Sequence, residues 1–138
     1  MPPTLLTKAH YESLAALRYA LRRFLAFSQD AAKKAGLTPQ QHQSLLAIKG
    51  FPERDYASIA ELAERLQLRH HSAVGLVDRL VRRQLLRRAP SLADKRRVEL
   101  RLTARGEKVI EQLSAMHLRE LRQLGPEFHR LVGTITKM

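Results

Sequence analysis

The chain has 138 residues, enough for one domain with helical extensions. Its 25 Lys and Arg stand against 13 Asp and Glu, and the resulting formal charge of +12 points to a polyanionic partner. It has no Cys, which excludes disulfides, thiolate catalysis, thiol redox sensing and Cys-ligated zinc, and no apolar run is long enough to span a bilayer.

The opening Met1-Pro2-Pro3-Thr4-Leu5-Leu6-Thr7-Lys8 lacks the pattern of a secretory signal, so a soluble cytoplasmic protein is expected. From about Thr7 to Ala35, Leu14, Leu17, Leu21, Phe24 or Leu25, and Ser28 recur at helical spacing. Gly36 stands where a C-cap belongs, so one long helix is predicted. Thr38-Pro39-Gln40-Gln41 combines an N-cap Thr, a first-turn Pro and the Gln of a capping box. It opens a second helix with Leu45, Leu46 and Ile48 on its apolar face, stopped by Gly50 and Pro52. Glu53 to Ala57 reads as a polar connector with room for one short strand.

Ser58-Ile59-Ala60-Glu61 is a second capping box, and Ile59, Leu62, Ala63 and Leu66 share one side of the helix it opens. After a short turn at Gln67-Leu68-Arg69, another helix is predicted from about His71 to Arg83, with Val74, Val77, Leu80 and Val81 inward. Two short helices joined by a tight turn, the second rich in Arg, make a helix-turn-helix. Leu85 to Ala89 reads as a strand, Pro90 to Arg96 as a charged loop, and Val98 to Thr103 alternates as a half-buried strand does. The pair is a hairpin with a basic tip, a wing. Thr103 caps a long helix carrying Val109, Leu113, Met116, Leu121 and Leu124. Gly125-Pro126 is expected to break it, leaving a last helix from about Glu127 to Ile135. The expected fold class is mainly α with a small β-hairpin wing. A winged helix-turn-helix spans residues 37–104, between an N-terminal helix in 1–36 and C-terminal helices in 105–138.

The basic charge is concentrated. Between Arg69 and Arg101 there are ten Lys and Arg against three acids. An α-helix fits the major groove and presents its first turns to base edges. Here those turns carry Arg69, His70, His71, Ser72 and Ala73. Arg can bond guanine twice, His and Ser can donate to base or phosphate acceptors, and Ala73 suits a thymine methyl. Arg79 and Arg82, further along, are expected at phosphates. The wing tip reads Asp94-Lys95-Arg96-Arg97. Arg is drawn to the negative potential of a narrow minor groove. Asp94 is expected to hold a neighbouring guanidinium by a paired hydrogen bond.

Ser72-Ala-Val-Gly-Leu-Val-Asp78-Arg79-Leu80, then Leu85-Leu86, Asp94-Lys95-Arg96-Arg97 and Leu102-Thr103-Ala104-Arg105-Gly106 resemble the signature of the MarR (multiple antibiotic resistance regulator) family. The likeness is close over about Leu37 to Gly106. It implies a sequence-specific transcription regulator, a repressor, that binds a pseudo-palindromic double-stranded operator as a homodimer. The first and last helices would build that dimer. It implies Arg96 as the minor-groove residue with Asp94 as its partner, and release from DNA by a small aromatic or phenolic ligand. Tyr11, Arg18, Arg22 and His42 lie on the elements that form the effector pocket in that family, and core packing or the dimer surface accounts for each at least as well. Two positions depart from the pattern. Gln84 stands where Gly usually ends the recognition helix, and Gly75 stands where some relatives reach DNA.

Other functions find less support. There is no phosphate-cradling Gly-rich loop, no His-Glu-x-x-His and no nucleophile–base pair, so neither an enzyme nor a catalytic residue is expected. Among His10, His42, His117 and His129, only His117-x-x-Glu120 places two possible ligands one turn apart, and with no His-x-x-x-His or similar motif neither metal nor cofactor is expected. No membrane partner is expected. The alternatives are a nonspecific architectural DNA-binding protein and a winged-helix protein-interaction module.

Overall fold

A computed structural model describes residues 5–138. The first four residues of the opening stretch lie outside the described residues. Eight elements follow in order: α1 (Lys8–Lys34), α2 (Pro39–Lys49), β1 (Tyr56–Ala57), α3 (Ile59–Leu66), α4 (His70–Arg82), β2 (Leu86–Pro90), β3 (Val98–Leu102) and α5 (Ala104–Thr136). They fall into two compact units. One is Ala31–Ser114, and the other combines the chain through Asp30 with Ala115–Met138.

In the Ala31–Ser114 unit, local chemistry starts and stops each helix. Thr38 accepts a hydrogen bond from Gln41 N while the Gln41 side chain accepts one from Thr38 N, both 3.1 Å. Ser58 and Glu61 repeat this reciprocal cap at the head of α3. Each such cap is worth about 1 kcal/mol. Gly36 takes φ 78° after α1, and Arg83 Nη1 donates to its carbonyl at 2.7 Å. The three strands form one antiparallel sheet in the order β1-β3-β2, with Tyr56 opposite Arg101 and Leu86 opposite Leu102. Leu45, Ile48, Leu62, Val77, Leu80, Leu85, Leu86 and Leu100 are fully buried. Two helices, a tight turn and a hairpin on one such core constitute a winged helix-turn-helix.

Glu61 feels two opposing influences. Burial raises its carboxyl, but the hydrogen bonds from Ser58 and the charge of Arg54 outweigh that and leave it below its ordinary value of 4.5. A depressed folded-state pKa gives stability that is present above 4.5 and is lost as pH falls through the lowered value. Glu61→Gln is therefore expected to flatten the acid side of the stability–pH curve, read by thermal melts between pH 3 and 6. An unchanged curve would assign that acid sensitivity to other carboxylates.

Gln84 ends α4 with φ 61°, a left-handed conformation that a side chain adopts at a cost of about 1 kcal/mol. Its carbonyl accepts a 2.6 Å hydrogen bond from Thr103 Oγ1, which a glycine retains. Gln84→Gly is expected to stabilise the protein by about 1 kcal/mol, a rise of roughly 3 °C in the thermal midpoint. A drop would mean that the Gln84 side chain makes contacts that outweigh the backbone strain.

The other unit is built from helix surfaces. Ala20, Ser28, Leu124 and Leu131 are buried. His117 shares a 2.8 Å hydrogen bond with Ser28, and its ring meets the rings of Phe24 and Phe27 edge-on. The expected break at Gly125-Pro126 does not occur: α5 runs through Pro126 to Thr136. Leu124 and Leu131, two turns apart on either side of the proline, are both buried, and that stripe is kept by one continuous helix. Tertiary burial outweighs the lost N–H and the steric cost of the ring. Tyr11, Leu14, Leu21 and Leu25 on α1, and Leu118, Leu121 and Val132 on α5, remain exposed.

Candidate nucleic-acid interface

The tight turn before α4 is set by Gln67, which caps α3 in the left-handed region at φ 56°. Arg69 is the N-cap of α4 but makes no side-chain cap bond, so its guanidinium is not committed to the helix. Arg69, His70, His71 and Ser72 are all exposed around the first turn. N–H groups and the positive end of the helix dipole add to these side chains at that end.

Ala73 is a correction. It is fully buried and begins the inward row Ala73, Leu76, Val77, Leu80, spaced as one helix face requires. It packs in the core and offers no methyl to a base. The same phase leaves Val74 and Val81 half-buried, where an inward position was expected. Arg79 and Arg82 are exposed on later turns, and Asp78 pairs with Arg88 of β2, tying α4 to the wing. Gly75 is half-buried.

The wing loop is closed by its own backbone. Ser91 N donates to Arg97 O at 3.0 Å, and Arg97 N donates to Asp94 O at 2.9 Å. Asp94 Oδ1 accepts from both the backbone N and the side-chain Nε of Arg96, at 3.1 and 3.2 Å. The expected fork from two guanidinium nitrogens is thus one guanidinium nitrogen plus one backbone N–H. These bonds from Arg96, its backbone N–H first, with Arg97 nearby, hold the Asp94 carboxyl below its ordinary range. Arg96 is 91% exposed and Arg97 83%, so both charges stand in solvent. Lys95 is exposed beside them.

The residues expected at an effector are placed differently from one another. Tyr11, Arg18 and Arg22 are exposed on α1. His42 is 2% exposed on α2, among Gln41, Ser44, Leu45 and Ile48, and as a core residue it presents no surface to a ligand. Among the described residues, no cluster of His, Cys, Asp or Glu is arranged to hold a metal ion. No described helix is long and apolar enough to cross a membrane. Sequence reasoning missed the part played by Phe51, Arg54 and Tyr56, which cluster with Arg101 beneath the wing. An aromatic pair flanking an Arg in a short connector was the available signal.

A family model described as the MarR family matches residues 35–97. The HTH-type transcriptional repressor MdtR of Bacillus subtilis is 27% identical over 86 residues, which cover 62% of this chain and 54% of the relative. The match thus spans about half the length of that relative. A MarR family protein from Bacillus stearothermophilus has the same fold, with a TM-score of 0.78 at 20% identity over 97% of each chain. A variant of S. aureus MepR bound to an oligodeoxyribonucleotide superposes with a TM-score of 0.67 at 21% identity, covering 97% of this chain and 96% of that one. The family match lies across the helix-turn-helix and wing, and the shared fold extends over nearly the whole chain.

Proposed function

We propose that the protein is a sequence-specific, double-stranded DNA-binding transcription regulator, a repressor acting as a homodimer in the cytoplasm, with no catalytic role. One observation carries this reading. The uncapped Arg69, with His70, His71 and Ser72, and the wing tip Lys95-Arg96-Arg97 are exposed basic or hydrogen-bonding groups of one winged helix-turn-helix. In the proposed complex α4 enters the major groove, the wing enters the flanking minor groove, and Arg79 and Arg82 meet phosphates. Asp94 acts indirectly, by aiming Arg96.

The exposed apolar residues of α1 and α5 support the dimer, because such residues are covered at stable interfaces. MdtR is described as a repressor and the MepR variant was solved on DNA, which agrees with repression and duplex binding here. Release by a small aromatic or phenolic ligand belongs to the same proposal. Tyr11, Arg18 and Arg22 are its assigned contacts, and His42 is withdrawn.

Two-fold symmetry predicts a pseudo-palindromic operator with half-site centres about 10 bp apart. Hydroxyl-radical footprinting on the DNA upstream of its own coding region tests this. Two protected patches on one face of the duplex, one turn apart, are expected. Protection without a repeat would contradict the dimeric reading.

A further inference from the structure

Five planar groups alternate across one face of the winged helix-turn-helix. Arg54 Cζ lies 4.2 Å from the centre of the Phe51 ring and 4.8 Å from that of Tyr56. Arg65, in the last turn of α3, covers Phe51 at 4.9 Å, and Arg101 of β3 covers Tyr56 at 4.5 Å. The series Arg65, Phe51, Arg54, Tyr56, Arg101 therefore runs from the helix-turn-helix to the strand that carries the wing. Carboxylates fix the guanidinium groups within it. Glu61, in the first turn of α3, pairs with Arg54. Arg101 donates to Glu99 through Nε at 3.1 Å and Nη2 at 2.8 Å, and through Nη1 to Asp55 at 3.3 Å.

The strands of the wing are also held by buried Leu86, Leu100 and Leu102 and by the Asp78–Arg88 pair. An open cavity of about 510 Å3 is lined by Arg54, Tyr56, Glu61, Asp94, Arg97 and Glu99, among others. It lies between the loop and the head of α3, with Arg54 on its wall. Arg54 is the centre of the series and the one guanidinium that lies over both rings. An Arg so engaged is not free to serve as a phosphate contact, and a Lys cannot replace its planar stacking.

We propose that Arg54 is a positioning residue. Stacked on Phe51 and Tyr56 and bonded to Glu61, it holds the wing at the angle that lets Arg96 reach the minor groove while α4 occupies the major groove. This rests on the DNA-binding reading above for its consequence, but not for the ordering of the wing.

The test uses Arg54→Lys, which retains the charge opposite Glu61 and loses the planar stack. Hydrogen exchange on the DNA-free protein reads the amides of Ser91 and Arg97, whose hydrogen bonds close the wing loop. Their exchange is expected to quicken while α3 and α4 amides keep their protection and the protein melts cooperatively. Operator binding is then measured with Arg54→Lys alone, with Arg96→Ala alone and with both. Loss of one groove contact weakens binding roughly tenfold, and Arg54→Lys is expected to do so in the native background. If it acts through the wing, it costs less than about twofold once Arg96 is already Ala. Unchanged wing exchange, or equal losses in both backgrounds, would overturn the proposal. A fall in the salt dependence by about one ion, with no change in exchange, would instead make Arg54 a direct phosphate contact. If the unaltered protein bound no duplex at all, the regulator reading would fall, and the exchange measurement alone would decide whether Arg54 orders the wing.

Discussion

Gly106→Ala is expected to destabilise the protein by about 3 kcal/mol, the upper part of the usual range for overpacking, and to lower its thermal midpoint by roughly 10 °C. A Cβ at Gly106 would stand 2.2 Å from Leu85 O and 3.2 Å from Leu85 C. The obstacle is backbone, not the far end of a side chain, so no rotamer change relieves it. That carbonyl also accepts the Thr103 N–H at 3.1 Å, and Thr103 Oγ1 in turn caps Gly106 N at 3.0 Å. Moving the carbonyl therefore disturbs the junction of the wing and α5 at several points. Gly75→Ala is the control. Its Cβ would meet Arg79 at an ordinary 3.5 Å, and Ala in a helix interior gains roughly 0.5–1 kcal/mol over Gly. Equal melting temperatures for the Gly106 variant and the native protein would show that the close approach is not real.

Arg96→Ala is expected to weaken specific operator binding by about 10- to 100-fold, the 1–3 kcal/mol typical of one well-made groove contact. Arg96 is 91% exposed, so the melting temperature should stay nearly unchanged. Arg96→Lys keeps the charge but loses the Nε that bonds Asp94, and an intermediate loss is expected. Asp94→Ala separates charge from aim. Removing an acid beside a polyanion favours binding to any duplex, whereas removing the group that orients Arg96 lowers binding to the operator. Titrations of both duplexes should therefore show the operator weakening while random DNA holds or strengthens. If both strengthen together, Asp94 is only a turn residue.

The parts of the fold legible in the sequence are those decided within a few residues. The Thr38–Gln41 and Ser58–Glu61 caps rest on side chains three positions apart, and both form as expected. The alternation of the wing strands likewise follows from neighbours. The continuous α5 was not legible, because the burial of Leu124 and Leu131 overrides a local breaker. Left-handed Gln67 carries no mark, since glutamine has no preference for that region, and Gln84 was marked only by standing where the family resemblance has Gly. At the site, the basic first turn of α4 and the Asp94–Arg96 pair were readable from charge and spacing. Ala73 was misread because a small apolar residue suits both a core and a thymine methyl. Its spacing to Leu76, Val77 and Leu80 held the correct phase. His42 falls three residues before Leu45 on the buried face of α2, a similar cue. Arg54 escaped notice although Phe51 and Tyr56 flank it in the connector, because Glu61, Arg65 and Arg101, which complete the series, come from separate elements.

Specific recognition of duplex DNA is tested most directly by titrating the purified protein against two duplexes at two salt concentrations. One is the DNA upstream of its own coding region and the other is a random sequence of the same length. A preference of roughly a thousandfold or more for the upstream DNA is predicted, with affinity for both duplexes falling as salt rises. Equal affinity for both, with a steep salt dependence, would contradict specific recognition and leave a sequence-tolerant architectural binder. No binding to either would assign the basic surface to an acidic protein partner.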